Sequence, residues 1–182
     1  MALITTPGAA DADSYFSLAE ATTYFTGRGI TAWTGTDDVK ENAARRGTAY
    51  LDNQYRGRWK GYRTEQAQAL AWPRQDGTRG WGYPLLDLDG FEIPYDSIPA
   101  QIKNAAMEAA LLALTGVDME PRLERGGMIK SIGKSVGPLR KDITYMDGAP
   151  AVDRFLAIEG LLRGLVTSVP GATSGNVRLV RS

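Results

Sequence analysis

Arg56, Arg58, Trp59, Lys60, Tyr62 and Arg63 crowd into one short stretch, RGRWKGYR, and Trp72 and Arg74 follow shortly after. Rings interleaved with cations can bind single-stranded nucleic acid, the bases stacking on the aromatics while the cations track the phosphates. The same residues have a purely structural use. Trp59, Tyr62 and Trp72 can anchor a core while the cations snorkel around it, and Arg56 and Arg58 complement the negative end of a preceding helix. Burial separates the two readings, and the apolar neighbours Ala67, Leu70 and Ala71 predict a buried Trp72.

Other chemistry is poorly supplied. The chain has no histidine and no cysteine, so the commonest general base, the thiolate nucleophile and the soft metal ligands are all missing. Gly133-Lys134-Ser135 resembles the end of a phosphate-binding loop, but Met128 stands where the first glycine belongs and no apolar strand leads in. Asp87, Asp89 and Glu92 are oxygen donors without the length or distal glutamate of a calcium loop, so Asp89-Gly90 reads as a hairpin turn. Asp37 and Asp38 sit where a helix begins. No catalytic, cofactor or metal site is expected, and the chain does not read as an enzyme.

Lys plus Arg equals Asp plus Glu at 21 each, a formal net charge of zero, whereas phosphate contacts usually leave a free nucleic-acid binder with a basic excess. No apolar run approaches the about 20 residues that cross a bilayer, and the first residues lack a secretory pattern. These features predict a soluble protein without a membrane partner, made in a cytoplasm.

The elements that must position the cluster are mainly helical. Residues 1–16 read as an N-terminal arm whose Tyr15 and Phe16 dock on the fold. Ser17 and Glu20 form a capping box for a helix reaching about Arg28, closed by Gly27 and Gly29. Thr36 or Asp37 caps a second helix to about Tyr55, with Val39, Ala43, Gly47, Tyr50 and Leu51 on one stripe. Gly57 and Gly61 break it, placing the cluster on the helix end and the loop beyond. A brief helical turn is expected after Thr64, before Trp72-Pro73. Leu85–Leu88 and Phe91–Ile93 flank the hairpin turn. Pro99 opens the strongest helix, whose Ile98, Ile102, Ala105, Ala109 and Leu112 stripe is widened by Ala106, Ala110 and Ala113, so that another helix can approach closely before Gly116 ends it. A last helix turns Val152, Phe155, Ile158, Leu162 and Leu165 inward, with Glu159 and Arg163 paired outside.

Two extensions complete the chain. Glycine and β-branched residues across 126–146 favour a long, basic, two-stranded arm, with Met128, Ile129, Lys130, Ile132, Lys134 and Val136 as its inter-subunit residues. A lone strand pair is marginal in water, so this one should lean on a neighbouring copy. After Pro170 a polar linker leads into a tail over 172–182, where Val177, Arg178, Leu179, Val180 and Arg181 mix apolar and basic residues as a docking segment does, a plain frayed terminus being the other reading. The expected fold is a helical bundle of about four helices over 17–171, with an extended β-hairpin arm and a flexible C-terminal tail.

Gln68-Ala69-Leu70-Ala71-Trp72-Pro73-Arg74, with SLAEATTYF, DNQYRGRWKG, DGFEIPYDSIPAQIKNA and KSVGPLRKDITY, resembles a family of tailed-phage proteins described as DnaT-like single-stranded DNA-binding proteins. The likeness covers most of residues 17–182, departing in the arm and in the linker after Gly164. In size and layout such proteins resemble head-tail adaptors. That likeness implies a ring of about twelve copies beneath the portal protein, with genomic DNA passing through its channel and a tail or nozzle/stopper protein beyond. It would place the chain in the virion neck, assembled in the host cytoplasm, with residues 177–181 docking on the portal. The family description implies instead that Arg56, Arg58, Trp59, Lys60, Tyr62 and Arg63 contact single-stranded DNA. Zero net charge suits a channel through which DNA slides, since each added phosphate contact would hold it more tightly.

Overall fold

The computed structural model describes residues 2–78, 82–120, 129–135, 140–145 and 155–167. It is mainly helical, as expected, with three small antiparallel strand pairs. Helix α1 (Leu18–Thr26) starts on the capping box: the Glu20 amide donates to Ser17 Oγ, and the Ser17 amide donates to Glu20 Oε2 at 2.7 Å. Helix α2 (Asp37–Gln54) begins after Thr36, whose extended backbone fits an N-cap although its side chain makes no capping bond. Helix α3 (Ala100–Leu114) follows Pro99, and Gly116 closes its end at φ +85°. Helix α4 (Leu156–Leu161) is one and a half turns long and buries Ile158, with Leu162 and Leu165 buried just beyond it.

The α2–α3 pair is the centre of the molecule. Ala43, Ala44, Gly47 and Leu51 face Ile102, Ala105, Ala106, Ala109 and Ala110, all buried. A Cβ on Gly47 would fall 2.5 Å from the Ala110 amide nitrogen and 2.8 Å from the Ala106 carbonyl oxygen, so the two backbones touch there. Val39, expected on the inward stripe, is 49% exposed. Burial on α2 begins only at Ala43, so the first turn projects beyond the packed face. Helix α1 is pinned from outside, by Lys103 to Glu20 at 2.6 Å and by the Tyr24 hydroxyl donating to Glu108 at 2.8 Å. Tyr15 and Phe16 dock on the fold as expected, both essentially inaccessible to water.

The first strand pair joins β1 (Tyr62–Arg63) to β2 (Arg74–Gln75), and the second joins β3 (Leu85–Leu86) to β4 (Glu92–Ile93) across the Asp89-Gly90 turn. The third, β5 (Ile129–Ser135) with β6 (Arg140–Tyr145), is the arm read from the sequence, irregular between Ile129 and Ser131. Among the described helices and strands, its strands contact chiefly each other. Met128, Val136, Val152 and the tail residues Val177, Arg178, Leu179, Val180 and Arg181 lie outside the described residues.

Candidate functional site

The basic and aromatic stretch stays together only in part: Arg56, Trp59, Tyr62 and Arg63 line one cleft, whereas Arg58 and Lys60 do not. Helix α2 ends at Tyr55, Gly57 turns the chain at φ +79°, and residues 58–60 run beside residues 165–167. The Lys60 amide donates to the Leu165 carbonyl at 3.0 Å, the Thr167 amide donates to the Arg58 carbonyl at 2.7 Å, and Trp59 bridges to Val166. This short pairing sends alternate side chains to different places. Trp59 goes into the core, while Arg58 is half-buried on a second cleft shared with Glu159 and Arg163. Lys60 lines neither cleft.

Trp72 is 1% exposed, as its apolar neighbours predict, and meets Trp59 edge to face. Both indoles pack with Tyr55 and Leu51 in the core. Trp72 is therefore withdrawn as a stacking surface for bases, and Trp59, 6% exposed, keeps only a sliver of its surface in the wall of a cleft. Of the three rings proposed for stacking, Tyr62 alone is open, 62% exposed at the start of β1, with its other face on Gly77.

A cleft of about 470 Å³ remains, lined by Arg56, Trp59, Tyr62, Arg63 and Arg74, with Asp52 also in its wall. Its two ends differ. Arg56 and Arg63 are exposed, although Arg63 also donates to the Gln68 carbonyl at 2.9 Å. Arg74 is a structural cation: its guanidinium donates to the carbonyls of Lys60 (2.7 Å), Ala71 (3.1 Å) and Gly61 (2.5 Å). Burial pulls the Arg74 pKa below its ordinary value, and Arg63, directly opposite in the β1–β2 register, adds to the effect against the pull of Tyr15 and Asp52. Like charges facing across a strand pair repel, which makes this rim receptive to an anion.

Three residues to which the sequence assigned no part in this cluster, Gln68, Tyr15 and Asp52, hold the loops around the cleft. Gln68, 2% exposed, uses its whole amide: Oε1 accepts from the Thr64 hydroxyl and the Glu65 amide, and Nε2 donates to the carbonyls of Leu70 and Pro73. The expected helical turn after Thr64 is instead a loop wound around this one side chain, because a buried amide fully satisfied by backbone holds a non-helical path. Tyr15 donates its hydroxyl to Asp52 Oδ1, and the Ala71 amide donates to Asp52 Oδ2 at 2.8 Å. The Tyr15 oxygen also accepts from the amides of Ala71 and Trp72 at 3.1 and 3.3 Å. This knot ties the N-terminal segment, α2 and the Trp72 loop into one unit. Burial raises the pKa of Asp52, although the bonds from Tyr15 and Ala71 and the nearby Arg74 and Arg56 oppose it. Burial, then the Asp52 charge, raises that of Tyr15 well above the ordinary phenol. No local pattern marks these partners; a buried-looking Gln between Ala and Ala is the only trace.

Among the described residues no group of three His, Cys, Asp or Glu could hold a metal, and no helix is long and apolar enough to cross a membrane. Asp87 Oδ1 accepts from the amides of Asp89 and Phe91, both at 2.9 Å, so it folds back on its own turn.

A family model described as "Putative DnaT-like ssDNA binding protein" matches residues 1–182, the whole chain. No curated protein and no solved structure matches it. The chain therefore belongs to the family of DnaT-like ssDNA binding proteins.

Proposed function

We propose that this chain is a non-enzymatic structural subunit of the neck of a tailed bacteriophage: an adaptor that forms a ring beneath the portal protein, through which genomic DNA passes. The observation that carries the reading is the β5–β6 ribbon, whose strands of seven and six residues contact chiefly each other among the described helices and strands. A two-stranded ribbon is marginal in water without packing, so its sequence is shaped for a surface supplied by another copy. The burial of Trp59 and Trp72 and the use of Arg74 as a backbone clamp support the same reading, because they make the dense stretch a scaffold. The ring would be assembled in the host cytoplasm and retained in the virion, with a tail or nozzle/stopper protein on its far side. Purified chain mixed with portal protein should co-elute with it on a sizing column and appear as a ring in images of neck particles. Separate elution, with necks lacking the chain, would end this reading. Removal of residues 172–182 should weaken portal attachment without unfolding the chain.

A second reading, single-stranded DNA binding, is favoured by the family description and by the exposed rim of Arg56, Tyr62 and Arg63. Stacking on one tyrosine is worth about 1–3 kcal/mol. Anisotropy of a labelled oligonucleotide at low salt should then drop measurably for Tyr62→Ala and fall as salt is raised. An oligonucleotide signal indifferent to both would dismiss it.

A further inference from the structure

The β3–β4 hairpin carries an apolar and acidic surface that is exposed among the described residues. Leu86, Leu88, Phe91 and Tyr95 are 42%, 70%, 71% and 46% exposed. Among them stand Asp89, Glu92 and Asp96, exposed and in no ion pair among the described residues. No Lys or Arg interrupts residues 82–96. The surface is also rigid. Asp87 closes the turn through two amides, its own amide donates to the Phe91 carbonyl at 2.9 Å, and Leu88 rests on Gly164 so closely that no Cβ would fit there. Single exposed apolar residues are ordinary, but several large ones on one short hairpin mark a contact site.

The β5–β6 ribbon has the opposite character. Its strands hold Lys130, Lys134, Arg140 and Lys141 against one acid, Asp142. Their register sets Lys134 directly opposite Lys141, beside Arg140 opposite Ser135. Like charges at facing positions are unfavourable unless an anion lies near, and the two strands themselves hold only Asp142, opposite Gly133.

We infer that the ribbon of one copy docks on the β3–β4 hairpin of the next copy, the face that carries Lys134 and Lys141 meeting Asp89, Glu92 and Asp96 while Leu88 and Phe91 are covered. The inference rests on the ring reading and names its interface. The two surfaces are different parts of the chain, so the contact is head-to-tail, and a head-to-tail contact closes into a ring when the rotation between copies permits.

Charge reversal tests it on the full chain, with circular dichroism and the thermal midpoint confirming that each variant folds. Lys134→Glu with Lys141→Glu should shift the protein from the assembled to the monomer position by analytical ultracentrifugation, and so should Asp89→Lys with Glu92→Lys. The four changes combined should restore assembly. The chain has no native cysteine. Mixing a Lys134→Cys chain with a differently tagged Glu92→Cys chain should therefore give disulfide-linked mixed dimers on oxidation. Assembly unaffected by either reversal, or reversals that the combination does not rescue, would overturn the interface. If those same variants still join the portal in a ring, the ring reading survives that failure. Wild-type chain that is monomeric and ignores the portal sinks both.

Discussion

The indole of Trp72 meets that of Trp59 edge to face, with 5.9 Å between centroids and 89° between planes. One ring comes from the loop that leads to β2 and the other from the segment that pairs with residues 165–167, so their contact joins that loop to the last described residues through Trp59. Trp72→Ala should cost about 3–5 kcal/mol in urea denaturation, the range for deleting a large buried ring. In a Trp81→Phe background the remaining tryptophans Trp33, Trp59 and Trp72, all under 10% exposed, should resist quenching by acrylamide. Ready quenching would return these rings to the role of a stacking platform.

Gly47 separates two expectations by sign. In an exposed helix, Gly→Ala stabilises by about 1 kcal/mol. Here the added methyl would meet the backbone of α3 at 2.5 Å, so the helices must part. Gly47→Ala should destabilise by about 1–3 kcal/mol in the same measurement, as overpacking does.

Alkaline pH should unfold the protein earlier than surface tyrosines would predict. Burial is the leading cause in raising Tyr15, Tyr24 (to about 12) and Tyr50, aided by Asp52 at the first and Glu108 at the second. In the unfolded chain each titrates near its ordinary value of 10.0. Above that pH the unfolded state has therefore lost protons that the folded state keeps. The stability from this source is fully present below pH 10 and is lost progressively as pH rises through the folded values. The urea midpoint should fall from about pH 10 upward, and Tyr15→Phe should shallow that fall while lowering stability at neutral pH through loss of the Asp52 bond.

Arg74 and Arg56 line one cleft but should behave oppositely. Arg74→Lys keeps the charge but cannot serve three carbonyls with a planar fork. It should destabilise by at least the value of one charged hydrogen bond, about 1.5–3 kcal/mol. Arg56→Ala, at an exposed position, should leave stability within about 0.5 kcal/mol. Any loss of oligonucleotide affinity in Arg56→Ala then reports on binding and not on folding.

What the sequence determined was whatever a few neighbouring residues decide between themselves. Ser17 and Glu20 start α1, Pro99 and Gly116 bracket α3, Asp89-Gly90 turns β3 into β4, and the alanine face of α3 receives α2. Each follows from a cap, a permissive φ or a periodicity that acts within a turn or two of chain. The tertiary structure alone decided the fate of the RGRWKGYR stretch. Pairing of residues 58–60 with 165–167 sends Trp59 inward and Arg58 to another cleft, and the first turn of α2 leaves Val39 in solvent. Gln68, Tyr15 and Asp52 acquire their roles from partners up to 57 positions away. A buried polar group must find a partner wherever the fold brings one, and no local pattern records where that will be.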